Sequence, residues 1–147
     1  MRKYIQGKYK PINPQKYMGD LTNIIFRSSW EKKFFIWCDN NPNILRWSSE
    51  EIIIPYRCPT DDRIHRYFPD ARIDIKTKDN EYKTYLIEIK PFAQTLPPKK
   101  QKRKTKRYIT EVYTYGKNEA KWKAARQYAK ERNWEFLIIT EKELNIK

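Results

Sequence analysis

The chain has 147 residues, enough for one domain with a real core and too few for two comfortable ones. A formal net charge of +14, with 34% of residues charged, points to a polyanionic partner: nucleic acid first, an anionic membrane surface or an acidic protein second. Three glycines and no phosphate-cradling fingerprint exclude a nucleotide cofactor of the Walker or dinucleotide type. No apolar run approaches the ~20 residues that cross a bilayer, and Met1-Arg2-Lys3-Tyr4 is not followed by the apolar core of a secretory signal.

Residues 1–22 are polar, carry Pro11, Pro14 and Gly19, and show no periodicity, so they are expected to form an extended arm before a single domain over 23–147. Ser28 or Ser29 can cap a helix running to about Asp39, with Trp30, Phe34 and Trp37 on one face, and Asn40-Asn41-Pro42 ends it. Ile44 and Leu45 lead through Trp47 into a strand over 51–56, closed by the turn Cys58-Pro59-Thr60-Asp61-Asp62. A second strand is expected over 66–76. The turn Asp79-Asn80-Glu81 joins it to a third over 84–90, which places Leu86, Glu88 and Lys90 on one face and Tyr85, Ile87 and Ile89 on the other.

Pro91 ends that strand and the composition changes. Lys99, Lys100, Lys102, Arg103, Lys104, Lys106 and Arg107 follow Leu96-Pro97-Pro98 without an intervening hydrophobic residue, as a solvated loop or the basic opening of a helix. That helix continues through Trp122 and Tyr128 to about Asn133; Trp134–Thr140 reads as a last strand and Glu141–Asn145 as a short helix. Cys38 and Cys58 are the only cysteines. With no CxxC pair and no histidine cluster they read as two reduced thiols, and a zinc site is not expected. His65 reads as a hydrogen-bonded surface residue. Trp30, Trp37, Trp122 and Trp134 read as core.

The chemistry concentrates in Pro69-Asp70 on one strand and Glu88-Ile89-Lys90 on its hairpin partner. Phosphodiester hydrolysis needs a divalent ion on a phosphate oxygen, and one Asp with one Glu from adjacent strands can grip it from two sides. A lysine two positions after the Glu shares its face, where it can orient water or offset developing charge. Glu88 inside Leu86-Ile87-Glu88-Ile89 is a costly place for an idle charge. Glu31, in the first turn of the first helix, is a further acidic candidate or a simple capping residue. Asp74 shares the side of Asp70 and competes with it, or pairs with Lys or Arg.

These residues resemble the motif of the PD-(D/E)xK nuclease superfamily. Phe26-Arg27-Ser28-Ser29-Trp30-Glu31, Trp47-Ser48-Ser49-Glu50-Glu51, Ile54-Pro55-Tyr56, His65–Asp70, Tyr85–Pro91 and Trp134-Glu135-Phe136 resemble, in order and over nearly the whole chain, the head completion nucleases of contractile-tailed bacteriophages. A more distant similarity is to the endonuclease subunit of cut-and-paste bacterial transposons. The resemblance implies an α/β, restriction-endonuclease-like fold: a mixed central sheet flanked by helices. It implies Mg²⁺, with Mn²⁺ as a substitute, held by Glu31, Asp70 and Glu88 and assisted by Lys90. It further implies double-stranded DNA as substrate, contact with phage head or neck proteins, and action in the infected host's cytoplasm or the virion. Lys99 to Arg107 are the candidates for DNA-backbone contact; Gln94, Thr95, Lys121 and Gln127 are weaker candidates for lining the same groove. The rival readings are a transposon-end or repair endonuclease and a non-catalytic DNA-binding neck protein.

Overall fold

The structure, a computed structural model, describes residues 6–145; the first five residues of the expected arm and the last two of the expected domain lie outside the described residues. In chain order the elements are β1 (Gly7–Lys8), a 3-10 turn (Pro14–Lys16), β2 (Ile25–Phe26), α1 (Ser29–Asn40), β3 (Ile44–Ser48), β4 (Ile54–Cys58) and β5 (Arg63–Tyr67). They continue with β6 (Ala71–Lys76), β7 (Tyr82–Ile89), a 3-10 turn (Phe92–Thr95), α2 (Lys106–Glu131), β8 (Glu135–Ile139) and α3 (Glu141–Leu144).

The central sheet has the order β3-β6-β7-β8. The first two pairings are antiparallel and β7–β8 is parallel, reached by the crossover through α2, so the sheet is mixed as expected. Alternation along β7 sorts its side chains to two cores. Ile87 and Ile89 pack with Phe34, Phe35, Cys38 and Trp47 on one face. Leu86 packs on the other with Trp122, Ala125 and Ala129 of α2 and with Ile54, Tyr56 and Tyr67 of β4 and β5. In α2 the buried residues Asn118, Trp122, Ala125 and Ala129 recur every three or four positions and form one stripe. Trp122→Ala would cost about 3–5 kcal/mol as a large-to-small core change.

Two expected strands divide differently. The single strand expected over 66–76 is broken at Phe68-Pro69-Asp70 into β5, which pairs only with β4, and β6, in the central sheet. Pro69 has no N–H to give a ladder and is fully buried at the point where the chain changes sheets. Asp70 therefore sits in the break, immediately before β6, rather than within a strand. Upstream, Ile44–Ser48 is a strand of its own rather than a lead-in, paired with β6 through Trp47↔Ile73, and the next strand starts at Ile54 instead of Glu51. Trp37 is 47% exposed, and the buried face of α1 is Phe34, Phe35 and Cys38 instead. Trp47, fully buried, fills the centre of that core.

The segment over 6–22 lies against α1 and β3. Asp39 near the end of α1 accepts from Tyr9 Oη (2.7 Å), Ile12 N (2.7 Å) and Asn13 N (3.0 Å). Lys16 Nζ donates to the carbonyls of Cys38, Asp39 and Asn41, the orphan acceptors of the helix end. Tyr17 joins the core edge-on to Trp47, ring centroids 4.8 Å apart, and its hydroxyl meets Ser49 and Glu51.

Candidate active site

Four elements bring carboxylates to one place. Ser28 caps α1: its hydroxyl accepts from Glu31 N and donates to Glu31 Oε2, both at 3.2 Å, so the cap that starts the helix also aims Glu31. Glu50 lies in the turn after β3 and is clasped by Arg27 through Nε (2.9 Å) and Nη2 (3.1 Å). Asp70 is held at the strand break by Ile89 N, which donates to its Oδ2 at 2.7 Å. Glu88, near the end of β7, accepts a hydrogen bond from the Tyr67 hydroxyl. Lys90 follows β7, its N–H still bonded to Ile139 O of β8 (3.0 Å), and its ammonium stands 4.0 Å from Glu88 Oε1.

One oxygen each from Glu31, Glu50 and Asp70 lies within 4.8 Å of the others. Glu88 adjoins this trio through its charge interaction with Asp70. Glu31, Asp70, Glu88 and Lys90 all line a cleft of about 340 Å³ with Arg27 and Gln94. The four sequence candidates are thus brought to one cleft, and Glu50, to which the sequence assigns no role, stands beside it with an oxygen close to those of Glu31 and Asp70. Its only signal was Ser48-Ser49-Glu50-Glu51 in the ordered resemblance, because nothing local distinguishes it from Glu51.

The electrostatics are under-compensated. Burial first, then the charges of Glu88 and Glu31, holds the Asp70 carboxyl well above the ordinary range. Burial also raises Glu31, against the Ser28 hydrogen bond and with help from Glu50. Glu88 is raised by burial, which outweighs Tyr67, Lys90 and Lys121. Glu31 is 8% exposed, and its Oε1 has no hydrogen-bond partner among the described residues. Converging hard oxygens, one of them buried and unpartnered, fit a hard divalent cation, which would supply the missing positive charge.

Other expected residues fall elsewhere. Asp74 is 7% exposed but committed to Arg46 (3.1 Å), Arg72 (3.3 Å) and the Thr84 hydroxyl (2.8 Å), and takes no part in the cleft. His65 bonds Asp61 and is not a lining residue. Gln94 lines the cleft whereas Thr95 does not, and Gln127 turns to Glu131 (3.1 Å). Lys121 of α2 approaches from the far side: its ammonium lies 5.7 Å from the Tyr67 ring centroid, interacts with Glu88, and is lowered in pKa by burial. Lys99, Lys100, Lys102, Arg103 and Lys104 form an exposed loop, and Lys106 and Arg107 open α2 behind the Thr105 cap. This basic run connects the cleft-lining segment at Gln94 to the helix.

The family model for the TnsA-like endonuclease N terminal matches residues 41–141, which include Glu50, Asp70, Glu88 and Lys90. The head completion nuclease of Enterobacteria phage T4 is 45% identical over 139 residues, spanning 92% of this chain and 90% of its own length. The chain therefore belongs to the family of TnsA-like endonucleases and phage head completion nucleases, and its role is that of a nuclease.

Proposed function

We propose that the chain is a Mg²⁺-dependent nuclease that hydrolyses phosphodiester bonds of double-stranded DNA, acting on the packaged phage genome when the filled head is completed and joined to the tail. The observation that carries this reading is the convergence of Glu31, Glu50 and Asp70 oxygens within 4.8 Å, beside Glu88 and Lys90, in an open cleft of a strongly basic protein. The similarity to a head completion nuclease supports the biological setting, the infected host's cytoplasm or the virion, with head or neck proteins as docking partners.

Glu31, Asp70 and Glu88 would hold the ion, with Glu50 completing the trio of close oxygens; Mn²⁺ would substitute. When bound, the ion supplies Lewis acidity toward a phosphate oxygen and lowers the pKa of water. Tyr67 favours the ionised form of Glu88 by donating to it, which keeps that carboxylate available as a ligand. Lys90 places a cation beside Glu88, where it can orient the attacking water and offset charge developing at phosphorus. Lys99 to Arg107 would neutralise backbone phosphates without reading sequence. A binding module gains nothing from burying acids where a polyanion must approach, which favours catalysis over the neck-protein alternative.

The test is incubation of purified protein with linear and circular DNA, with Mg²⁺, with Mn²⁺ or with EDTA. DNA should be cut only with metal, and Glu88→Ala and Lys90→Ala should lose cutting while retaining DNA binding. Cutting of closed circles separates an endonuclease from an enzyme confined to ends. Cutting that persists in EDTA, or in both variants, defeats the proposal.

A further inference from the structure

The hairpin formed by β4 and β5 carries a second cluster with different chemistry. Tyr56 pairs with His65 across the ribbon, so His65 shares the face of Tyr56 and Cys58. The turn between the strands folds back through Asp62, which has φ +57° and donates its N–H to Cys58 O at 2.8 Å. This brings Asp61 over the same face. Its carboxylate is fixed at both oxygens, by Arg63 N at 3.0 Å and by His65 Nε2 at 2.7 Å. A sulfur, a carboxylate oxygen and an imidazole nitrogen thus lie within 4.8 Å of one another, in the pattern Cys58-x-x-Asp61-x-x-x-His65.

We propose that Cys58, Asp61 and His65 form a second cation site, for Zn²⁺, at the tip of the β4–β5 hairpin. Thiolate and imidazole are the donors that select a borderline-soft ion, whereas the all-carboxylate cleft favours a hard one. Zinc bonds of about 2.0–2.3 Å in tetrahedral array set the donors roughly 3.3–3.7 Å apart, so the sulfur must draw closer to the other two while the His65–Asp61 hydrogen bond of 2.7 Å opens, both within reach of side chains on a turn. The His65 and Asp61 side chains, 40% and 39% exposed, give access from solvent, whereas Cys58 is fully buried at the inner edge of the cluster, and the fourth position would hold water. The Thr60 hydroxyl lies 3.0 Å from Sγ, where it can donate to a thiolate. An ion here would clip the ribbon whose far strand ends in Tyr67, the residue that donates to Glu88.

The experiment is a Co²⁺ titration of the reduced, metal-stripped protein in excess Mg²⁺, followed by absorbance. A sulfur-to-cobalt charge-transfer band should rise to one equivalent and disappear on adding Zn²⁺, and Zn²⁺ should raise the melting temperature. Cys58→Ser should abolish the band. Asp61→Asn and His65→Asn, both at solvent-accessible positions, should weaken Co²⁺ binding by about tenfold or more, the least that loss of even an outer partner costs. Cys38→Ser should leave it unchanged. The absence of a band in the unaltered protein overturns the site, as does a band that survives both surface variants or is lost with Cys38. The cleft has no sulfur, so the outcome is independent of whether the nuclease reading stands.

Discussion

Asp39, fully buried, and Asp70, half-buried at the cleft, both stand at the ends of secondary-structure elements, and their surroundings treat them in opposite ways. Burial pushes Asp39 upward, but the Tyr9 hydroxyl and the N–H groups of Ile12 and Asn13 outweigh it and leave the carboxyl below its ordinary value. Asp70 has one backbone donor against burial and two neighbouring carboxylates, and it is raised. The first acid is saturated with donors and ties residues 6–22 to α1. The second is left short of positive charge beside Glu31, Glu50 and Glu88. An acid whose charge is fully answered by the fold is a structural anchor; one whose charge is not answered is suited to binding a cation.

The largest effect expected from testing that contrast lies at the cleft. Glu88→Ala or Lys90→Ala should lower Mg²⁺-dependent cleavage by about a thousandfold, comparable to removing a preorganised charge from a transition state, with melting temperature and DNA affinity nearly unchanged. Asp39→Ala should do the reverse. It strips three donors of their acceptor and should destabilise the protein by about 3 kcal/mol in urea unfolding, leaving the chemistry of the surviving folded fraction intact. If Asp70→Asn destabilised the metal-free protein as much as Asp39→Ala does, the distinction between structural anchor and cation ligand would fail.

The pH dependence sharpens the same contrast. Asp39 has a depressed folded pKa, so its stabilisation is present above the ordinary carboxylate range and is lost as pH falls through the folded value. Glu31, Asp70 and Glu88 have raised values, so the folded chain binds more protons than the unfolded one above about pH 4, and stability declines as pH rises through the folded values. The slope is about 1.4 kcal/mol per pH unit for each proton involved, measured by denaturant titration without metal. Mg²⁺ should flatten or reverse the decline, because it competes with those protons. The smallest effect per residue belongs to the basic loop. Each of Lys99, Lys100, Lys102 and Lys104 changed to Ala should reduce the slope of log affinity against log salt by up to about 0.9, without changing sequence preference.

Much of the candidate site was legible because it rests on local pattern. A carboxylate and a lysine two apart along an extended chain share a face, and although β7 ends at Ile89, one residue before Lys90, Glu88 and Lys90 both line the cleft. Ser28 before Glu31 is a capping signal, and the cap is what turns Glu31 inward. Glu50 was invisible as a site residue because its approach to Asp70 is a contact between β3 and the break before β6, set by the pairing of Ser48 with Arg72. Tyr67 was equally hidden, since its reach to Glu88 depends on the β4–β5 ribbon packing over α2.

The sequence by itself determined the elements with strong periodicity: α1, β7, α2 and β8, the charge that selects a polyanion, and the acid–lysine motif. These follow from interactions within one helix turn or one strand face, which neighbouring residues specify alone. Tertiary structure decided where the 66–76 segment breaks, that Trp37 faces solvent while Trp47 fills the core, and which buried acids find enough donors. Those outcomes depend on packing between segments far apart in the chain, where burial, partner and solvent are assigned only once the whole sheet is assembled.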